Sequence, residues 1–381
     1  MDDNDGTRMG RRNYLQGAAG LAAGGLLAGC TQGNGDGSNG NETGSGGAND
    51  SVDSYTVSME PMGDVEFESV PETWVANNGS WADMGAAIGL EAPKAVWLTG
   101  RYHTTYYDPI PDVSVDKSEM VSLYDSGVSK ELFYDLDADL HVLDPNFLQN
   151  RYNGWSESDI QDVEEIGPFF GNSIFSRGYG WHSDYRYYSL MEAFEKFAQV
   201  FKAEERYAAF ETVHEDFQEN LAPVVPAERS ERPSAAVLWA AGNEPESFLP
   251  YIIGEGTSFK HMRDLGVRDA LADTDVKNFH SSRGSIDFET LLDIDPETLL
   301  LRGQEGKTES EFQEVVSFLE ENETASQITA IAEGNVYRAG GLYQGPITNL
   351  TLTQRLAEDL YGVEERLYDA QRVSDIVNGE F

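Results

Sequence analysis

Beyond residue 70 the chain alternates short apolar runs with stretches in which apolar residues recur every three or four positions. Runs at 73–76, 94–98, 140–143 and 168–175, and later at 235–241 and 298–301, have the length and flanking turn residues of buried strands. Helices are expected after Ser80, around 118–124 and after Ser156. In the second half they are expected after Thr257, Ser285 and Thr308, where Glu311 completes a capping box. Between Ser183 and Ala222 there is no Gly or Pro, and Leu190, Phe194, Phe197, Phe201, Phe210, Val213, Phe217 and Leu221 keep helical spacing. This predicts one amphipathic helix, stopped by Pro223 and Pro226 and about 50 Å long at 1.5 Å per residue.

A faint duplication flanks that helix. Gly79-Ser80-Trp81 leads to Ile88-Gly89-Leu90 as Gly256-Thr257-Ser258 leads to Leu265-Gly266-Val267. Glu131 to Asp139 likewise matches Glu289 to Glu297, and the order is kept. Chance likeness between helix starts is the alternative, because Ser and Thr are common at N-caps. The predicted fold class is α/β: two Rossmann-like lobes with central, mainly parallel sheets, joined by a single long backbone helix, with a ligand cleft between the lobes. The expected boundaries are an export segment at 1–30, a tether at 31–53, a first lobe at 54–186, the bridging helix at 187–222, a second lobe at 223–362 and a tail at 363–381.

Charge alters the picture. There are 67 acidic against 26 basic residues, a net charge of -41, and only 8 of the basic residues are Lys. A nucleic-acid partner is excluded, since phosphate binding needs a basic footprint. So acidic and lysine-poor a surface resembles those of salt-adapted (halophilic) prokaryotes, where salt screens self-repulsion. Most Asp and Glu side chains are then hydrated surface charges.

The first thirty residues carry Arg11-Arg12, a short run of Ala, Gly and Leu, and Leu27-Ala28-Gly29-Cys30. The run is too short and too glycine-rich to span a bilayer. It resembles a twin-arginine export signal ending in a lipoprotein box. Cys30, the only cysteine, is then the lipidated residue, and no disulfide forms within a monomer. From Thr31 to Asp53 the residues are almost all Gly, Asn, Ser, Asp, Glu and Thr, a tether reaching roughly 25 Å.

Several stretches, in order, carry a more specific resemblance: "ETWVANNGSWADMGAAIGL", "LDADLHVLD", "YYSLMEAFEKFAQVFK", "GEGTSFKHMRDLGV", "IDFETLLDIDPETLLLRG" and "AIAEGNVYRAGG". They resemble the substrate-binding lipoproteins of ferric-siderophore and cobalamin ABC importers. The resemblance runs from about Val65 to Gly362; the length of 99–116 and the tail 363–381 depart from it. It implies a receptor anchored to the outer face of the cell membrane, not an enzyme, that captures an iron(III)-siderophore-type chelate for an ABC permease and its ATPase. A cobalamin or haem receptor of the same fold is the alternative; a surface protein or enzyme borrowing the fold is a third class. A monomer without an intrinsic cofactor is expected.

In lobes of this kind ligands lie outside the carboxyl ends of parallel strands, near helix N-termini. The loops there nominate Asn78, Trp81, Arg101, Tyr102, Tyr106, Trp155, Arg177, Tyr179, Trp181, Asn243, Tyr251, Arg302 and Tyr343 as ligand-binding. Arg151 and Arg186 fall in the same loops. Guanidinium forks suit the oxygens of an anionic chelate and aromatic faces suit its apolar rim. Singly, each Arg reads equally well as a surface ion pair and each aromatic as core; the cluster is the signal.

The six histidines show no metal-ligand spacing, so no protein-held metal is expected. The run Tyr185-Arg186-Tyr187-Tyr188 offers phenolates to bare ferric iron or, more simply, packing for the long helix. No nucleophile elbow, HExxH or phosphate loop is present. Family behaviour further implies docking to the permease through Glu157 or Asp159 in the first lobe and Glu309 or Glu311 in the second, acids that helix capping also explains.

Overall fold

The computed structural model describes residues 54–381 apart from 125–126 and 152–153. Cys30, the export segment and the tether lie outside the described residues. A hairpin of β1 (Tyr55–Met59) and β2 (Gly63–Phe67) comes first. The first lobe then forms a parallel sheet of β3 (Trp74–Ala76), β4 (Ala95–Val96), β5 (Val121–Ser122) and β6 (Leu140–Val142), in the order β5-β4-β3-β6. The second lobe holds β7 (Ser234–Ala240), β8 (Phe248–Tyr251), β9 (Arg268–Asp269), β10 (Thr298–Arg302) and β11 (Val336–Arg338). There β9, β10 and β11 run parallel to β7, and β8 pairs antiparallel with β7.

The two sheets share a plan. Each has a central strand, β3 or β7, with β4 or β9 on one side and β6 or β10 on the other. Helix Gly79–Ala87 is followed by Gly89 at φ 69°, and helix Lys260–Asp264 by Gly266 at φ 65°. Helices Lys130–Leu136 and Phe288–Ile294 end on left-handed Asp137 and Asp295, three residues before β6 and β10. The sequence duplication is therefore a duplication of local geometry, caps included.

Three expectations are corrected. Residues 118–124 are not helical, because the N–H groups of Val121 and Leu123 bond to the carbonyls of Lys94 and Val96 and make β5 an edge strand. The run 168–175 touches the sheet only at Phe169, bridged to His141, and is otherwise extended chain. Most importantly, the single rod over 183–222 is two helices, Leu190–Val200 and Glu204–Leu221.

The first of these starts at a capping box between Ser189 and Glu192. At Lys202 the backbone turns left-handed, with φ 52°. The chain then doubles back, so that Phe194 meets Tyr207 at 5.5 Å and Phe210 at 5.8 Å. In a continuous rod residues 194 and 210 would lie about 24 Å apart. A left-handed residue costs about 1–2 kcal/mol, less than the burial of two Phe side chains contributes at about 1.5–3 kcal/mol each. The remaining bridge is Glu204–Leu221, about 27 Å long at 1.5 Å per residue. It reaches from Ile88, whose carbonyl accepts from Arg206, to Asp264, which accepts from Gln218 at 3.4 Å.

The C-terminal segment is also built in. Asp369 caps helix Ala370–Asn378, which buries Val373 and Ile376, and Tyr368 packs on Phe217 of the bridging helix at 6.2 Å. The last long helix, Pro346–Tyr361, is tied to the first lobe by Asp83. Asp83 is fully buried, and its Oδ2 accepts from the N–H groups of Ile347 (2.9 Å) and Thr348 (3.1 Å), whose positions in the first turn leave them without intrahelical partners. Its Oδ1 accepts from the Tyr107 hydroxyl at 2.6 Å, and Tyr107 contacts the Tyr102 hydroxyl at 2.7 Å. A Cβ on Gly345 would stand 2.4 Å from Asp83 Oδ2, so only glycine lets the helix approach.

Burial pushes the Asp83 carboxyl up from its ordinary 3.8 to about 6, against the pull of these hydrogen bonds. A folded value above the unfolded one makes its contribution full below about pH 4 and lost as pH rises through about 6, about 3 kcal/mol in all. Asp83→Asn removes this dependence. Urea unfolding of both proteins at pH 4 and pH 7 and constant salt should show the wild type losing about 2–3 kcal/mol relative to the variant.

Candidate functional site

The parallel strands of both lobes direct the loops at their carboxyl ends towards a shared cavity of about 300 Å³. From the first lobe come Trp97 and Arg101 after β4, Phe147 and Arg151 on helix Pro145–Arg151 after β6, and Phe175 and Tyr179 beyond Phe169. From the second come Trp239, Leu249 and Tyr251 on β7 and β8, Phe279 and Arg283, and Leu342 and Tyr343 after β11. Among the described residues, three guanidinium groups and no carboxylate line it, in a chain with 67 acids against 26 bases.

The walls are fixed across the lobes. The guanidinium of Arg101 lies over the Trp239 ring at 4.9 Å. Phe175 packs edge-on to Tyr343 at 5.5 Å, to Tyr179 at 6.3 Å and to Phe147 at 6.4 Å. The Phe175 carbonyl accepts from Ser258 Oγ at 2.7 Å, and the Ile174 carbonyl from the Thr257 N–H at 2.9 Å. Burial raises the pKa of Tyr179, Tyr251 and Tyr343, so all three hydroxyls stay protonated at neutral pH.

Of the nominated residues, Arg101, Tyr179, Tyr251 and Tyr343 line this cavity, with Arg151 beside them. Trp181 stands behind, stacked on Tyr179 at 4.4 Å. Arg302 lies beneath, wholly buried, with its guanidinium 4.4 Å from the Phe259 ring and 5.5 Å from that of Tyr251; burial draws its pKa down to about 10. The others sit elsewhere. Asn78 caps helix Gly79–Ala87, Trp81 packs in the core on Phe197, and Tyr102 belongs to the Asp83 network. Trp155 donates to the Val128 carbonyl at 3.0 Å and packs on Phe133. Arg177 lies over the Tyr187 ring, and Asn243 is on the surface near Glu314. Tyr106 accepts the Gly341 N–H at 3.2 Å and lines a second cavity.

Among the described residues no three His, Cys, Asp or Glu side chains are placed to hold a metal ion, and no helix is long and apolar enough to cross a membrane. His141 packs against Phe133 and Phe169, and His261 is held by the Ala339 carbonyl at 2.7 Å. Tyr185 donates to Asp144 at 2.6 Å, which engages one phenol of the tyrosine run within the protein.

A family model described as periplasmic binding protein matches residues 143–341, more than half of the chain. The chain belongs to the periplasmic binding protein family. Membership implies an extracytoplasmic location and a solute-binding role. No curated protein matches the sequence. Among solved structures, this binding protein is similar to a periplasmic binding protein of Veillonella parvula, with 15% identity over 82% of this chain and 99% of that one and a TM-score of 0.54. It is also similar to the petrobactin-binding protein YclQ of Bacillus subtilis, with 17% identity, 82% and 99% coverage and a TM-score of 0.54. The triscatecholate siderophore binding protein FeuA of the same species follows, with 12% identity, 78% and 95% coverage and a TM-score of 0.51. At these identities the likeness is one of fold, and the two-lobed α/β architecture of the binding protein is shared with all three.

Of the wall residues that went unnominated, Trp97 and Trp239 lie in predicted strand runs, whereas Leu249, Phe279 and Arg283 sit on or beside elements with weak sequence signals. β8 is a short hairpin return and helix Phe279–Ser282 is a single turn. Phe175 carried a signal, since it ends the predicted run 168–175. Of the acids named for docking, Asp159 caps its helix with Ser156 and pairs with Lys130 at 2.8 Å, and Glu311 caps with Thr308. Glu157 is exposed, and Glu309 pairs with Arg338 at 2.8 Å while remaining 68% exposed.

Gly256 packs against the backbone of Phe175, and a Cβ there would lie 2.2 Å from the Phe175 carbonyl oxygen. Gly256→Ala should therefore destabilise the protein by about 1–3 kcal/mol through overpacking at the lobe contact, read as a lower midpoint in thermal unfolding.

Proposed function

We propose that the binding protein is the receptor of an ABC importer and captures an anionic iron(III)-siderophore-type chelate in the central cavity. The observation that carries the reading is the lining itself: Arg101, Arg151 and Arg283 among aromatic rings, with no carboxylate of the described residues in the lining. Guanidinium groups bind carboxylate or catecholate oxygens, and the rings of Trp97, Trp239 and Tyr343 cover the rim of the chelate. Siderophore binding by YclQ and FeuA, which share the fold, supports the same ligand class. At about 300 Å³ the cavity is at the small end of ligand sites, so a bulky chelate binds with the lobes further apart than here.

The receptor is exported through the twin-arginine signal, anchored by lipidated Cys30 on the tether 31–53, and works as a monomer at high salt. Held close to the permease, it gains effective concentration from the tether rather than from extra contacts. Docking uses Glu157 on one lobe and Glu309 on the other, since Asp159 and Glu311 are engaged in capping.

Titration of the purified protein with ferric chelates, followed by tryptophan fluorescence, tests the ligand. Anionic ferric catecholates should quench Trp97 and Trp239, and Arg101→Ala should weaken binding about 10- to 100-fold, the worth of a hydrogen bond to a charged group. Equal affinity for neutral and anionic chelates would overturn the reading. For docking, the double variant Glu157→Lys/Glu309→Lys should abolish uptake in cells and leave chelate affinity unchanged; lost affinity in the purified double variant rejects the docking role.

A further inference from the structure

We propose that the protein has a second ligand site, for a small, multiply charged anion. The site is a cavity of about 760 Å³ that shares no lining residue with the central one. It is enclosed by the 99–116 segment and Lys117 of the first lobe, the turn after β10, and helix Pro346–Tyr361 with the chain that follows it. That segment is also where the chain departs from the length its relatives led us to expect.

Charge points to the ligand. Lys117, Lys307, Arg338, Arg355 and Arg366 line the cavity against Glu305, Glu358 and Glu364, an excess of positive charge in a chain of net -41. Among the described residues only Arg338 of the five has a carboxylate within 4.0 Å, that of Glu309. The others donate to backbone carbonyls: Lys117 to Thr99 at 3.0 Å and Tyr102 at 2.5 Å, Lys307 to Gly242 at 2.5 Å, and Arg366 to Pro109 at 2.9 Å. Arg355 reaches the Arg338 carbonyl only at 3.4 Å. Carbonyl oxygens orient a cation without cancelling its charge, so the cavity keeps a positive field that acidic side chains, plentiful everywhere else, do not quench.

A polycarboxylate and a sugar phosphate both carry the multiple negative charge that such a field holds.

Calorimetric titration of the purified full chain at fixed ionic strength tests this with citrate and with glucose 6-phosphate. Saturable binding is expected for citrate or for glucose 6-phosphate, and which of them binds identifies the source. Lys307→Gln/Arg366→Gln should weaken it at least about tenfold, the loss of one charged contact, and Arg101→Ala in the central cavity should leave it intact. The proposal is overturned if neither anion binds, if the double variant binds as the wild type does, or if Arg101→Ala abolishes binding. Chelate binding in the central cavity is read separately by tryptophan fluorescence, so either site can fail without the other.

Discussion

A single buried carboxylate holds the two lobes and the last long helix in register. Asp83 leaves water completely, which is costly for a charge, and recovers part of that cost through four hydrogen bonds, three of them from the first turn of helix Pro346–Tyr361. The loop just before this turn carries Leu342 and Tyr343 into the central cavity and Gly341 onto Tyr106. Glycine at 345 is the steric condition for that contact. The acid that fixes the loop is not itself part of the cavity lining.

The distribution of charge follows a simple division. Carboxylates outnumber cations by 67 to 26, and three of the guanidinium groups, Arg101, Arg151 and Arg283, meet at the central cavity. In the central cavity guanidinium groups alternate with aromatic walls that keep water from competing for them, and Arg101 also joins the lobes by lying over Trp239. Arg302, wholly buried behind Tyr251, adds to the positive field from below without reaching the cavity.

The bridge between lobes is shorter than its sequence suggests, and this matters for motion. A hairpin of helices, pinned by Phe194 against Tyr207 and Phe210, is a stiffer joint than one free rod, and the C-terminal helix braces it further through Tyr368 on Phe217. The contacts of Gly256 and Ser258 with Phe175 also join the lobes.

Local sequence determined what local physics controls. Apolar runs placed β3, β4, β6, β7 and β10; Ser156, and Thr308 with Glu311, placed helix starts; and the match of 131–139 with 289–297 marked equivalent segments. The strand ends in turn pointed to Arg101, Tyr179, Tyr251 and Tyr343. What sequence did not reveal depended on contacts between distant residues. Val121 and Leu123 became strand because Lys94 and Val96 offered them acceptors. Residues 183–222 kept perfect helical spacing yet folded back, since periodicity records which face is apolar and not whether that face meets another domain or its own continuation. Trp81, Tyr102 and Trp155 had the composition of ligand contacts, and packing claimed them for the core instead. Which aromatic residues face a cavity and which fill one is decided by sheet stacking and lobe contact, and neither is encoded in any single stretch of the chain.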